Sequence, residues 1–463
     1  MAAEQAKIIA YPGQEAEAPD LEEPFPQQEA ERKEKQGDDF LDSLAEQSGF
    51  EERAASRMRV CLGEIAAARR SNSWEKIITL FHPLEDKEPD LVMAGMDVPV
   101  RREIAYAMGQ LHQFDKALGE YEKCWQARPD FLIASATAYT LYNCIYAAKN
   151  REMILPRQLK QKRLREAHEW FARAQEFKPH RVTNFYRQAM LYKNIECKRE
   201  KAVPLFAKAI SNWEDYDEKT RKKRHQERKN YVKSLYNIAS CHLQSNRTGQ
   251  ALECIKRCLE EDEGRDYVRK EFKYFALGKI RYFSGDYEQA THALEFAAGF
   301  VKPAEGDFIH ELWARVLLAL ERPKEAIKKI NAIPEKMRRP FVRWTESDAL
   351  VAFGDRERAV KVLTSALEKD RRSKHKTLVR LARINFSRGE YEQAVQKASE
   401  ADDFHRRVYT TPDPDGLFWK SAALLRRGEA EEARKVCSEL EDYRPEYHLL
   451  PRLRAALEQT DKT

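Results

Sequence analysis

Histidine, cysteine and the acidic residues are the side chains of this 463-residue sequence that could ligate a metal, attack a carbonyl or move a proton. Each of those chemistries needs its groups at a fixed spacing. A zinc-binding helix carries two histidines four apart around a glutamate, and His310–Glu311 has no second histidine. The cysteines stand singly at Cys61, Cys124, Cys144, Cys197, Cys241 and Cys437, with one helically spaced pair, Cys254 and Cys258. No two have only two residues between them, as a zinc ribbon or a thiol–disulfide motif requires. No GxxxxGK(S/T) phosphate loop and no GxSxG nucleophile elbow occur. The sequence thus points to no catalytic residue, no metal and no cofactor, and a non-enzymatic protein is expected. Cysteine packs as a small hydrophobe, so the thiols are expected to be reduced core residues in a reducing, cytoplasmic compartment.

What remains is the chemistry of recognition, carried by arginine, lysine and aromatic side chains. Two stretches are strongly basic, residues 149–166 (KNREMILPRQLKQKRLRE) and 213–230 (WEDYDEKTRKKRHQERKN), the latter holding Lys222, Lys223 and Arg224. Such a run reads as a solvated helix extension, as a site for an acidic partner or as a nuclear-import signal. Charge is also unevenly placed. Residues 1–52 hold 15 acids and 4 bases, a net −11, so a chain of formal charge +6 is near +17 over the remainder.

The elements that must position these groups are helices. About a third of the residues are charged and glycine is sparse; straight-chain residues lose little rotamer freedom in a helix. One phrase then recurs along the chain: a turn residue, two or three polar residues, an alanine, and a bulky apolar residue four positions on. The anchors are Ile77, Ala117, Ala167, Ala202, Ala251, Ala290, Ala326, Ala359, Ala394 and Ala433. Ala167 to Ala202, Ala290 to Ala326, Ala326 to Ala359 and Ala359 to Ala394 are separated by 35, 36, 33 and 35 residues. Longer separations elsewhere imply insertions. The unit at 271–304 is the fullest, with Tyr274, Leu277 and Gly278 on a first helix, then GDYEQA, Ala290, Leu294, Ala297 and Pro303.

On these residues the chain resembles the tetratricopeptide repeat family over about residues 54–447, in about ten degenerate units of helix–turn–helix. The resemblance implies an all-α, right-handed α–α superhelical solenoid in which stacked units bury faces that none could bury alone. Residues 53–447 are expected to form this array. Residues 448–463, with Leu449, Leu450, Leu453 and Leu457, are expected to cap it. The acidic residues 1–52 are too polar to bury a core and are expected to be a largely disordered arm. Within them Phe40, Leu41 and Leu44 stand among acids, either as a lead into the first helix or as a linear docking motif.

The resemblance further implies a concave groove lined by the first helix of each unit. Counting back from the anchors places Arg102, Tyr106, Arg187, Tyr236, Ser240, Phe275, Lys279, Glu311, Arg315, Trp344, Asp348 and Arg383 there. For aromatic residues such as Phe275 and Trp344 the alternative is packing between repeats. The chaperone-adaptor branch of the family needs a set sequence of lysine, asparagine and arginine over three consecutive units. That run is absent, so a grip on a C-terminal carboxylate is not expected. The expected function is a scaffold or adaptor that holds acidic or acidic–apolar segments of partner proteins and assembles or regulates a complex. Non-specific nucleic-acid binding by the basic array is one alternative, and regulation by an acidic arm folded onto the groove is another. Terminal repeats offer a route to an oligomer. No secretion signal or spanning segment is read, and the location expected is cytoplasmic, or nuclear in a source with a nucleus.

Overall fold

The computed structural model describes the backbone of residues 38–460 and, apart from Lys369, the side chains of residues 49–459. Every regular element among them is a helix. Contacts divide them into two compact units, one ending at Cys241 and one beginning at His242.

The first unit opens with α1 (Asp38–Arg70), α2 (Trp74–Phe81), α3 (Leu84–Lys87) and α4 (Pro89–Met93). Helix pairs follow: α5 (Val98–Gln110) with α6 (Phe114–Ala127), α7 (Phe131–Asn150) with α8 (Arg157–Phe177), and α9 (Val182–Asn194) with α10 (Arg199–Glu214). Then come the short α11 (Glu218–Lys223) and α12 (His225–Gln244), whose last turn passes into the second unit. Along α1, Ala54, Cys61, Ile65 and Ala68 recur at helical spacing and are buried with Ile77 and Phe81. Helix α1 begins at Asp38, so residues 38–52, expected to belong to the arm, are helical. Phe40, Leu41 and Leu44 lie on that stretch, with side chains outside the described residues, as are residues 1–37.

The second unit holds α13 (Thr248–Glu261), then α14 (Lys270–Phe283) with α15 (Tyr287–Ala298) and α16 (Asp307–Ala319) with α17 (Pro323–Asn331). It continues with α18 (Pro340–Phe353) and α19 (Arg356–Lys369), α20 (Lys374–Ser387) and α21 (Tyr391–Tyr409), and α22 (Pro414–Arg427) and α23 (Ala430–Tyr443). Helix α24 (Leu450–Thr460) packs Leu450, Leu453 and Leu457 against Leu417, Val436 and Leu440.

All ten anchors fall on the second helix of a pair, and all ten are 0 % exposed. At the nine alanines a methyl group sets how closely two helices approach. At Gly278 even a methyl is too large: a Cβ would lie 2.7 Å from Cγ of Leu294.

The turns repeat as closely as the anchors. Nine of the ten anchors have, five positions earlier, a residue with left-handed backbone: Asn72, His112, Cys197, Asn246, Gly285, Glu321, Gly354, Gly389 and Gly428. After Cys197 the N–H of Lys198 reaches Tyr192 O, six residues back; at the other eight the next residue donates its N–H five residues back into the first helix, as in Gln113 to Met108 O at 2.9 Å and Asp355 to Leu350 O at 2.9 Å. This six-to-one closure satisfies a carbonyl that the helix end leaves open. Glycine adopts the conformation without Cβ strain; asparagine is the commonest non-glycine choice.

The exception is the unit of Ala167, where the basic stretch 149–166 intervenes. It lengthens α7 and α8, joined by a loop whose Met153 and Leu155 pack on Phe114, Cys144 and Ala147. The second basic stretch forms α11 and the start of α12. Lys222 pairs with Glu218 at 2.7 Å. Arg224 lies 3.5 Å from Glu227 and over the Tyr216 ring. Glu227 is buried and also receives Arg181 at 3.0 Å and the Tyr216 hydroxyl at 2.8 Å. Part of this run is thus turned inward as a counter-charge.

Candidate functional site: polar faces of the first helices

The two helices of a pair differ in what they bury. Second helices bury mainly small and apolar side chains around each anchor, with Glu120, Asn212 and Asp402 among the polar exceptions. First helices bury polar groups as well, among them Arg102, Glu103, Arg187, Gln188, Glu311, Thr345 and Glu346. Buried polar groups must find partners, and the partners these find are described below.

In the first unit, α5, α7, α9 and α12 contribute to a hollow of about 140 Å³. Its wall follows from the α7 phrase AYTLYNCIY, in which Tyr139, Tyr142 and Tyr146 are three and four residues apart and share one face. Tyr142 and Tyr146 lie with ring centroids 4.5 Å apart. The Tyr146 hydroxyl donates to Met190 O at 3.3 Å and accepts from Asn194 at 3.1 Å. Burial pushes this phenol up to about 12. From α9 come Tyr186 and Arg187, from α12 Lys233, and the exposed His112 and Glu152 stand 3.9 Å apart beside the opening. The Arg187 guanidinium carbon lies 4.1 Å from the centroid of the Tyr139 ring.

Beside the hollow, Tyr106 is buried between Trp74, at 5.6 Å, and the Arg69 guanidinium, at 5.2 Å. Arg69 pairs with Glu103 at 2.8 Å, and Arg102 reaches the same carboxylate at 3.4 Å. Arg101, equally buried, is surrounded by Asp97, by Glu120 at 2.8 Å and by Glu85 at 2.9 Å. Lys123 and Arg101 hold Glu85 down to about 2, Lys123 contributing more.

In the second unit a charged cluster spans α14, α16, α18 and α20. Glu311 accepts from the Thr345 hydroxyl at 2.6 Å and lies 3.9 Å from Arg315 Nε. Burial pushes Glu311 up, against the pull of Arg315 and Thr345. Burial and the neighbouring Arg315 push the Lys279 ammonium down. Arg315 also covers the Tyr282 ring at 5.0 Å. Further along, Arg380 and Arg383 both pair with Asp348. Trp344 donates to Thr377 at 2.8 Å, with Arg380 and Lys376 over its ring.

Of the residues expected in a groove, Arg187 lines the hollow, and Lys279 and Arg315 share one cluster that continues to Trp344 and Arg383. Arg102 and Tyr106 are buried in the neighbouring network. Phe275 is buried with its ring 4.8 Å from that of Phe308, so it packs between helix pairs. Tyr236 and Ser240 are half-buried on α12. The tyrosines of α7 were missed; their spacing of three and four was the available signal. Among the described residues no group of three or more His, Cys, Asp or Glu side chains could hold a metal ion. None of the described helices is long and apolar enough to cross a membrane.

Helix pairs with small buried anchors and polar first-helix faces define a helical repeat protein. Residues 232–264 and 345–407 match family models described as tetratricopeptide repeat, so the chain carries repeats of that type. Repeats of this type are, in general, protein-interaction scaffolds. No curated protein matches the chain. Among solved structures, it is similar to a tetratricopeptide repeat protein from Parabacteroides merdae, at 14 % identity and TM-score 0.38, covering 58 % of this chain and 92 % of that one. It is also similar to Naa15/Naa10 bound to HypK-THB, at 12 % identity, TM-score 0.42 and coverage of 90 % and 71 %. The Cut9–Hcn1 hetero-tetramer of the APC/C matches at 12 % identity, TM-score 0.42 and coverage of 90 % and 92 %.

Proposed function

We propose that the protein is a non-enzymatic scaffold that holds extended segments of partner proteins on the faces of its first helices. The observation that carries this reading is the gathering of arginine, lysine and aromatic side chains on first-helix faces at two places, around the hollow and in the Lys279–Arg383 cluster. Arginine and aromatic side chains are the usual anchors of interfaces. Glu311 and Asp348 alternate with the cations of that cluster, which favours a segment of mixed acidic and apolar character over a uniformly acidic one.

The test is capture from native lysate by the immobilised full-length chain, with and without nuclease, alongside the variants Lys279→Glu and Arg383→Glu. A short set of proteins that survives nuclease and is depleted by either variant supports the reading. Recovery abolished by nuclease, or untouched by both variants, overturns it; the former outcome favours phosphate binding by the basic array.

A further inference from the structure

Among the described residues Arg187 has the largest fully buried side chain, 2 % exposed. A guanidinium so placed needs a counter-charge, and Arg101 shows how this chain supplies one, with three carboxylates around it. Among the described residues Arg187 forms no ion pair. It lies over the face of Tyr139, also acts electrostatically on Tyr106, and its Nη2 is buried with no hydrogen-bond partner. The same side chain forms part of the wall of the tyrosine-lined hollow. At about 140 Å³ the hollow has room for four or five waters at about 30 Å³ each, comparable with a short side chain.

From this we infer that the hollow is a carboxylate site, filled by an aspartate or glutamate side chain that an extended partner segment inserts against Arg187. The inference rests on the reading that first-helix faces hold partner segments, and names the group this face selects. Stacking on Tyr139 fixes the guanidinium plane, and a guanidinium is shaped to meet a planar acid in a paired fork. The rings of Tyr142 and Tyr146 provide apolar walls for the methylene groups behind the carboxylate. The charge balance favours a monoanion: one buried guanidinium lines the hollow, and Glu152 stands at the opening. A phosphate dianion would require more positive charge there.

The probes are two blocked, fluorescently labelled pentapeptides, Gly-Tyr-Glu-Leu-Gly and its counterpart with glutamine in place of glutamate, titrated against the full-length chain. The glutamate peptide should bind saturably and at least about ten-fold more tightly than the glutamine peptide. Arg187→Gln should reduce that ratio to below about two-fold, and Arg187→Lys, which keeps the charge and loses the fork, should fall between. Hydrogen exchange on the natural chain provides a readout independent of how the variants fold, with the glutamate peptide alone protecting α7 and α9. Equal binding of the two peptides overturns the carboxylate assignment and leaves the peptide-holding reading standing. Binding of neither overturns this site, while the scaffold reading is judged by capture. Displacement by inorganic phosphate below the peptide concentration overturns it in favour of a phosphorylated segment.

Discussion

Asp413 offers a quantitative test of the packing between α21 and α22. It precedes the first turn of α22, is 4 % exposed, and its Oδ2 has no hydrogen-bond partner. Burial, with a smaller contribution from the nearby Asp415, raises its carboxyl from 3.8 to about 7. A folded-state value above the unfolded one means that protonation favours the fold. The stability it provides is complete below about pH 4 and is lost as pH rises through about 7. At 1.36 kcal/mol per pH unit, the ionised side chain costs the folded state about 4 kcal/mol at about pH 8. Asp413→Asn retains shape and an acceptor oxygen and never ionises. It should therefore raise stability by about 4 kcal/mol at about pH 8 and by about 1.5 kcal/mol at about pH 5. The assay compares the urea midpoint and hydrogen exchange of α22 between the variant and the natural chain at both pH values. A gain that does not grow with pH, or a loss at about pH 8, refutes the reasoning.

Gly278→Ala places a methyl against Leu294 and should destabilise by about 1–3 kcal/mol in urea unfolding. Arg101→Met leaves Asp97, Glu85 and Glu120 facing one another and should cost about 3–5 kcal/mol by the same measurement, with partial recovery on adding Glu120→Leu. Burial pushes Cys61 to about 11 and Cys124 and Cys258 to about 12, whereas Cys197 is exposed. A soluble maleimide at about pH 7 should label Cys197 first, read by peptide mass spectrometry. Removing residues 1–37, which carry nine acids and four bases, should raise affinity for captured partners if the arm covers their site; unchanged affinity in a titration removes that regulatory reading.

The frame of the fold was legible because it rests on short-range constraints. An anchor alanine and the turn residue five positions before it are set by local geometry, and Gly285, Gly354, Gly389 and Gly428 advertise that turn directly. Asn72, His112, Cys197, Asn246 and Glu321 hold the same position with less obvious chemistry, and only the spacing reveals them. The candidate site was legible in part, because its partners come from distant stretches. Counting from anchors found Arg187 and could not find its stack on Tyr139, 48 residues earlier. Likewise, nothing local distinguishes Phe275, packed on Phe308, from Trp344 beneath Arg380 and Lys376. Arg224 reads as part of a solvated basic run, yet the buried Glu227 draws it inward. Periodicity reports which face of a helix is apolar; it does not report which polar groups on the other face will pair.

The closures that end the first helices also bear on how the molecule meets mechanical load. Each is made of bonds between a turn and the helix just before it, and so survives the loss of hairpins elsewhere in the chain. A pull on the two ends would detach hairpins singly, with each rupture freeing about 34 residues. At about 3.5 Å per extended residue, that is close to about 120 Å of new contour length. A scaffold built this way can lengthen under tension while its remaining hairpins keep their grip on a partner.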